Sequence, residues 1–111
     1  MTNSWDAKLA ERKVKFLAKS RERLNAASKL LSALPESSDW KEDARLVFKH
    51  LHQIGGGGGL YGMKELCDLA IEAETMVQAA IQNDQNDEKC FEKVQSFIGR
   101  LEQMLVEDQV R

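Results

Sequence analysis

Apolar residues recur three or four positions apart along almost the whole chain, and this spacing constrains the fold more than any other feature. Such spacing gives a helix one continuous apolar face, which has to be buried against other elements. The sequence holds four such stripes, so it predicts four amphipathic helices. The stripes are Leu17, Ser20, Leu24, Ala27, Leu31 and Leu34, extended less regularly by Trp5, Leu9 and Phe16; Trp40, Ala44, Val47, Leu51 and Ile54; Leu66, Ala70, Ala73, Val77 and Ala80; and Phe91, Val94, Ile98, Leu101 and Leu105.

The first predicted helix covers residues 4–34, with Asn3 or Ser4 as its N-cap. It is long for a globular domain, so a break within residues 13–19 is an alternative. Pro35, the only proline of the chain, ends it.

The second predicted helix begins near Asp39, which with Glu42 resembles a capping box. The third covers residues 63–82, and the fourth follows a cap at Asn86 or Asp87. Short connections between four such helices predict an all-α fold, an antiparallel four-helix bundle.

Length and composition limit the class of protein. A chain of 111 residues fits one domain, residues 1–111, and its net charge of −2 gives no sign of nucleic-acid binding. No apolar run approaches the ~20 residues of a membrane span. The N-terminus has no signal-peptide core, so we expect a cytoplasmic protein. We also expect a monomer. Cys67 and Cys90 have no metal-type spacing, and we expect both to be reduced.

The most unusual stretch runs from His50 to Gly62 and joins the only two histidines to five consecutive glycines. At about 100° per residue, His52 lies roughly 110° from the middle of the apolar stripe and therefore leans toward solvent. Absent side chains let another molecule approach the imidazole closely. The residues expected on the same side are Arg45, Phe48, Lys49, Gly55, Gly56 and Gly59.

Residues 44–75 resemble the histidine phosphotransfer (HPt) domain of multistep two-component phosphorelays. Its motif places an aliphatic residue two positions after a histidine, glycine at plus four, a small residue at plus six, and an apolar residue followed by glycine at plus nine and plus ten. Many members carry lysine at plus three, where this chain has Gly55, so no lysine contact to a phosphoryl group is implied from that position. Counted from His52, the matching residues are Ile54, Gly56, Gly58, Tyr61 and Gly62.

The resemblance implies an HPt-like bundle with the phosphoacceptor histidine, His52, on the second long helix. It implies that response-regulator receiver domains are the partners, with a hybrid histidine kinase as a further candidate, and that Mg²⁺ is bound by the receiver and not by this chain. The chain has no ATP-binding motif, so we expect a phosphotransfer intermediate without kinase activity and without a cofactor of its own. The residues expected to contact the partner are Arg45, Phe48, Lys49, Gly55, Gly56, Gly59 and Lys64.

The same stretch has three other interpretations: a flexible loop, a metal site and a P-loop. Local propensity would end the second helix at Ile54 and make the glycines a flexible loop, because glycine costs up to about 1 kcal/mol in a helix; the resemblance continues the helix to about Gly58, with the turn in residues 59–62. Two histidines two positions apart lie about 200° apart on a helix, which disfavours a shared metal. A P-loop would need Gly-Lys-Ser/Thr, and here Gly62, Met63 and Lys64 follow.

The alternative function is a helical adaptor that docks a signalling partner without transferring a phosphoryl group. The complete motif around His52 favours transfer. An enzyme with its own active site is disfavoured, because the sequence shows no nucleophile–base pair and no carboxylate dyad.

Overall fold

A computed structural model describes residues 4–110 as four α-helices and one short 3₁₀-helix, with no strand in that range. The helices are α1 (Ser4–Ala33), α2 (Trp40–Leu60), α3 (Lys64–Gln82) and α4 (Glu88–Val110), and the 3₁₀-helix covers Leu34–Glu36. The predicted all-α four-helix fold is confirmed, and each predicted helix boundary that the structure describes lies within a few residues of the observed one.

The four helices form an antiparallel bundle in which each packs on two neighbours: α1 on α2 and α4, and α3 on α2 and α4. The predicted stripes supply the core, since the residues of all four stripes from Leu17 onward are buried, except Trp40, which is half-buried. No helix among residues 4–110 is both long and apolar enough to cross a membrane.

Helix α1 continues without interruption through residues 13–19, so the alternative of a break there is wrong. Its predicted N-cap falls on Asn3, which lies outside the described residues, or on Ser4, whose side chain is not described. Trp5 is 62% exposed, so the expected extension of the stripe to this residue is wrong. The helix ends at Ala33, and Pro35 lies in the following 3₁₀-helix.

The start of α2 differs from the predicted capping box. The Asp39 side chain makes no capping hydrogen bond; instead the Asp39 backbone carbonyl accepts from the N–H groups of Glu42 and Asp43. The loop is closed by Ser37, whose hydroxyl accepts from the Asp39 N–H at 3.2 Å and donates to the Asp43 carboxylate at 2.9 Å. The Ser37 hydroxyl thus bonds the Asp39 N–H, the group that the Glu42 side chain would bond in a capping box.

Helix α2 continues through the whole glycine run to Leu60, two residues beyond the predicted end. Its C-terminus is a Schellman motif: Gly62 adopts a φ of 71°, the Met63 N–H donates to the Gly58 carbonyl at 2.9 Å, and the Gly62 N–H donates to the Gly59 carbonyl at 3.3 Å. A positive φ favours glycine, so Gly62 is the glycine that ends the helix. The five before it lie inside the helix.

The connection from α3 to α4 has the same geometry with a different residue. Asp84 has a φ of 54°, and its N–H and that of Gln85 donate to the carbonyls of Ile81 and Ala80. The Asp87 carboxylate then accepts from the Lys89 N–H at 3.0 Å, which confirms Asp87 as one of the two predicted caps of α4.

Candidate functional site

The His52 side chain lies on the outer surface of the α2–α3 pair and contacts a carboxylate of α3. It is 67% exposed, and its Nδ1 atom lies 2.9 Å from Oε2 of Glu74. Glu74 itself is 9% exposed and is the one buried acidic residue of the described part of the chain. Buried charges need a partner, and His52 is the partner that the fold provides.

The contact with Glu74 determines which ring nitrogen is free. An ionised carboxylate can only accept a hydrogen bond, so Nδ1 has to carry the proton. In the neutral imidazole the lone pair then lies on Nε2. The carboxylate therefore holds the ring in the tautomer whose distal nitrogen is a nucleophile.

Phe48 supports one face of the imidazole. It lies one helical turn before His52, and the two rings stack with centroids 5.6 Å apart and planes inclined by 13°. Phe48 is half-buried against the core. The stack and the Glu74 hydrogen bond restrict rotation of the ring from two directions. The orientation of the imidazole is thus fixed before any partner arrives.

Two glycines leave the solvent side of His52 open. A Cβ atom at Gly56 would have no neighbouring atom within 4 Å, and one at Gly59 would meet only the Cys67 Sγ atom, at 4.0 Å. Both residues are exposed, as predicted. A side chain at either position would project beside the histidine toward solvent. Their absence leaves room for another protein surface.

The other three glycines of the run pack against neighbouring helices. A Cβ atom at Gly57 would overlap the Phe16 ring of α1, and one at Gly58 would lie 3.3 Å from backbone atoms of Met63 and Cys67. Gly55 is buried against α3, where a Cβ atom would lie 3.3 Å from Ile71 Cγ1. The prediction that Gly55 faces outward beside His52 is therefore wrong: it lies about 60° from His52 toward α3, the side that α3 covers.

The three predicted cations are all exposed but differ in whether they form an ion pair. Arg45 and Lys49 are exposed on the same face of α2 as His52, as expected. The Arg45 guanidinium lies 3.2 Å from the Glu42 carboxylate, whereas none of the ion pairs described within residues 4–110 involves Lys49. Lys64 is highly exposed at the start of α3 and lies 3.8 Å from Asp68. Of the three predicted cations, Lys49 is thus the one without a described ion pair.

His50 points away from His52, toward α1. It is half-buried, and its Nδ1 atom is buried with no hydrogen-bond partner among the described residues. Burial lowers the pKa of this imidazole, and the positive charges of Arg23 and Lys49 lower it further. The two histidines thus face different helices, in agreement with the argument against a shared metal.

Glu74 is the site residue that the sequence prediction missed. It lies four residues after Ala70 and three before Val77, which places an acidic side chain within the buried stripe of α3. Glutamate is almost never fully buried unless it is paired. That position within an apolar stripe was the available signal.

The fold and the site together define a class: a four-helix bundle that presents one exposed, oriented histidine on a glycine-rich helix. The model of the Hpt domain family matches residues 13–108, which is most of the chain. No curated protein and no solved structure matches the chain. The chain therefore belongs to the Hpt domain family. Such domains take part in histidine phosphotransfer within two-component phosphorelays, as intermediates and not as kinases.

Proposed function

We propose that this protein is a phosphorelay intermediate in which Nε2 of His52 accepts a phosphoryl group from a receiver-domain phospho-aspartate and passes it to another receiver. The observation that carries the proposal is the 2.9 Å contact between His52 Nδ1 and the buried Glu74. An exposed surface histidine without a function would not need a buried carboxylate to fix its tautomer. A single domain covering residues 1–111 and a cytoplasmic location remain predictions.

The transfer step balances without an added reactant. The Nε2 lone pair attacks phosphorus, a P–N bond forms, and the P–O bond to the aspartate breaks, which releases the aspartate carboxylate. The Nδ1 proton stays on the ring, so positive charge develops on the imidazole as the P–N bond forms. Glu74 lies where it stabilises that charge, and it does so through a group that is oriented in advance.

Part of the chemistry comes from the partner. Phosphoryl transfer depends on positioning and on neutralising charge on the transferring group. Gly56 and Gly59 let the partner's aspartate come near His52, and Arg45, Phe48, Lys49 and Lys64 are proposed to contact the partner around it. Gly55 is buried and no longer belongs to this set. We expect the Mg²⁺ ion to be held by the receiver.

The experiment is to incubate the protein with radiolabelled, phosphorylated receiver domains and to look for acid-labile label on the protein. ³¹P NMR of the product then identifies the modified nitrogen. The proposal predicts a phosphohistidine substituted at Nε2. Label at Nδ1 would contradict the role given to Glu74. Receiver binding without any label would support the alternative of an adaptor that docks a partner without transfer.

A further inference from the structure

The surroundings of His52 differ on its two sides. Toward α3 the exposed side chain that lies against Gly55 is apolar: it is Ile71, which is 45% exposed, and the acidic neighbour Glu74 is buried. Toward α1 the surface is cationic, with Lys49 on α2 and Arg23 on α1. A partner that covers His52 therefore meets an exposed apolar side chain but no described cation on the Gly55 side, and positive charge on the other side.

Arg23 is held near His52 by Gln53, the residue that directly follows His52. The Arg23 Nε–H donates to the Gln53 side-chain oxygen at 2.9 Å, across the junction of α1 and α2. Gln53 directly follows His52 and is exposed, so the guanidinium lies at the edge of the open surface. The hydrogen bond restricts a side chain that would otherwise be free to sample many rotamers.

The terminal nitrogens of this guanidinium have no described partner. Arg23 has one described hydrogen bond, through Nε, and no ion pair with a carboxylate among residues 4–110. Its two terminal NH₂ groups keep the geometry that binds a carboxylate through two parallel hydrogen bonds. The positive charge of Arg23 also acts on a neighbouring residue of α2, since it lowers the pKa of His50 more than any other charge does.

We propose that Arg23 is a docking residue that binds a carboxylate of the receiver domain and so orients the receiver over His52. This inference rests on the proposed function. A receiver that holds Mg²⁺ next to a phospho-aspartate has to carry carboxylates around that site, because carboxylates and phosphate are the ligands that Mg²⁺ takes. The cationic side of His52 is complementary to such an acidic rim.

The orientation follows from the asymmetry of the two sides. An acidic rim placed over Arg23 and Lys49 brings the less charged part of the partner surface over Ile71 and Phe48. The reversed orientation would place carboxylates on the apolar side, next to the Glu74 carboxylate. Like charges brought together at an interface disfavour the wrong arrangement. Arg23 thereby selects one orientation of docking without touching the reacting atoms.

The first arm of the test measures transfer from a phosphorylated receiver, at low salt and below saturation. Arg23→Gln should lower the second-order rate constant about 1.4- to fivefold, the range for an exposed ion pair, and the defect should shrink at high salt. Arg23→Lys should show a partial defect, because it keeps the charge but loses the two-pronged geometry. Lys29→Gln is the matched control: it removes one exposed positive charge from α1 about 120° around the helix from Arg23, and it should transfer like the parent.

The second arm removes the receiver. Phosphoramidate, a small phosphoryl donor, should label His52 equally in the parent and in Arg23→Gln, because Arg23 acts on the partner's carboxylate. Equal slowing of both arms in Arg23→Gln would show that Arg23 acts on the phosphoryl group or on His52 itself, and would overturn the proposal. A parental rate of transfer from the receiver would overturn it as well.

A third measurement separates this inference from the proposed function. If the parent is labelled by neither donor, the proposed function fails. Binding of a beryllofluoride-activated receiver to the parent and to Arg23→Gln then decides the docking role: weaker binding to the variant supports it, and equal binding contradicts it. Thermal unfolding of the variant should be near that of the parent, because an exposed hydrogen bond contributes little to stability.

Discussion

The outward and inward sides of α2 use the same residue for opposite purposes. On the outward side, Gly56 and Gly59 face open space beside His52. On the inward side, Gly55, Gly57 and Gly58 allow close contact with α1 and α3. Helix α2 remains helical through five consecutive glycines because packing against neighbouring helices compensates for the low helix propensity of glycine. The comparison shows that five identical residues have two roles. Those on the outward side leave His52 accessible, and those on the inward side let α1 and α3 pack closely against α2.

Among the glycine substitutions, the largest effect on transfer is expected on the outward side. Gly56→Leu should reduce the rate of transfer from a receiver by about a hundredfold or more, because a side chain beside the imidazole would keep the aspartate from the roughly 3–3.5 Å approach that the reaction needs. Stability should be unchanged or higher, since leucine is a better helix former than glycine by up to about 1 kcal/mol. Transfer kinetics and urea unfolding check the two parts. A parental transfer rate would show that Gly56 is not needed for access.

Gly57→Leu is the matched substitution at the neighbouring position, and the opposite outcome is expected. Its Cβ atom would overlap the Phe16 ring, which also packs on Tyr61 with centroids 5.1 Å apart. Overpacking of this kind costs about 1–3 kcal/mol, which exceeds the gain in helix propensity. Urea unfolding should show the loss, while folded molecules should transfer near the parental rate. Equal stability of the two leucine variants would remove the distinction between the two sides of α2.

Glu74→Met tests how the inward side supports the outward one. Methionine is close to glutamate in length but cannot accept the hydrogen bond from His52 Nδ1. Hydrogen bonds to charged groups contribute about 1.5–3 kcal/mol, so transfer should slow about tenfold or more. Stability should change little, because an apolar side chain suits this buried position. Unimpaired transfer by a stably folded Glu74→Met variant would show that the carboxylate does not orient the acceptor.

Charge reversal on the outward side should have the smallest effect. Arg45→Glu combined with Lys49→Glu should slow transfer a few-fold at low receiver concentration, with recovery at saturating receiver and at high salt. Each exposed pair is expected to contribute on the order of 0.2–1 kcal/mol, and Arg45 is already partly compensated by Glu42. Initial rates over a range of receiver concentrations and salt check this. A parental rate in low salt would leave apolar contacts such as Phe48 as the basis of docking.

The fold was predictable from the sequence because burial follows directly from helical periodicity. The stripe that includes Leu24 and the stripe that includes Leu101 both appear as predicted, and both residues are fully buried. Local capping was less predictable. The side chains of Asp39 and Ser37 can each accept a hydrogen bond from backbone N–H groups of this turn. The loop geometry determines that Ser37 does so.

Only part of the candidate site was predictable: the position of His52 was, whereas the positions of Gly55 and Glu74 were not. The angle around α2 identified His52 as outward-facing, but it could not show that α3 covers Gly55, because that depends on how the two helices pack. The contact between Glu74 and His52 depends on the register of α2 against α3. His52 lies ten residues before Gly62 and Glu74 twelve after it, so the two become neighbours only once the turn is located at Gly62.

The central claim is that His52 is the phosphoryl acceptor, and the most direct test compares the two histidines. The parent, His52→Gln and His50→Gln are incubated with the same phosphorylated receiver, and acid-labile label on each is measured. We predict no label on His52→Gln, with the fold intact by circular dichroism, and nearly parental label on His50→Gln, whose histidine faces α1. Label that persists in His52→Gln and is lost in His50→Gln would contradict the account.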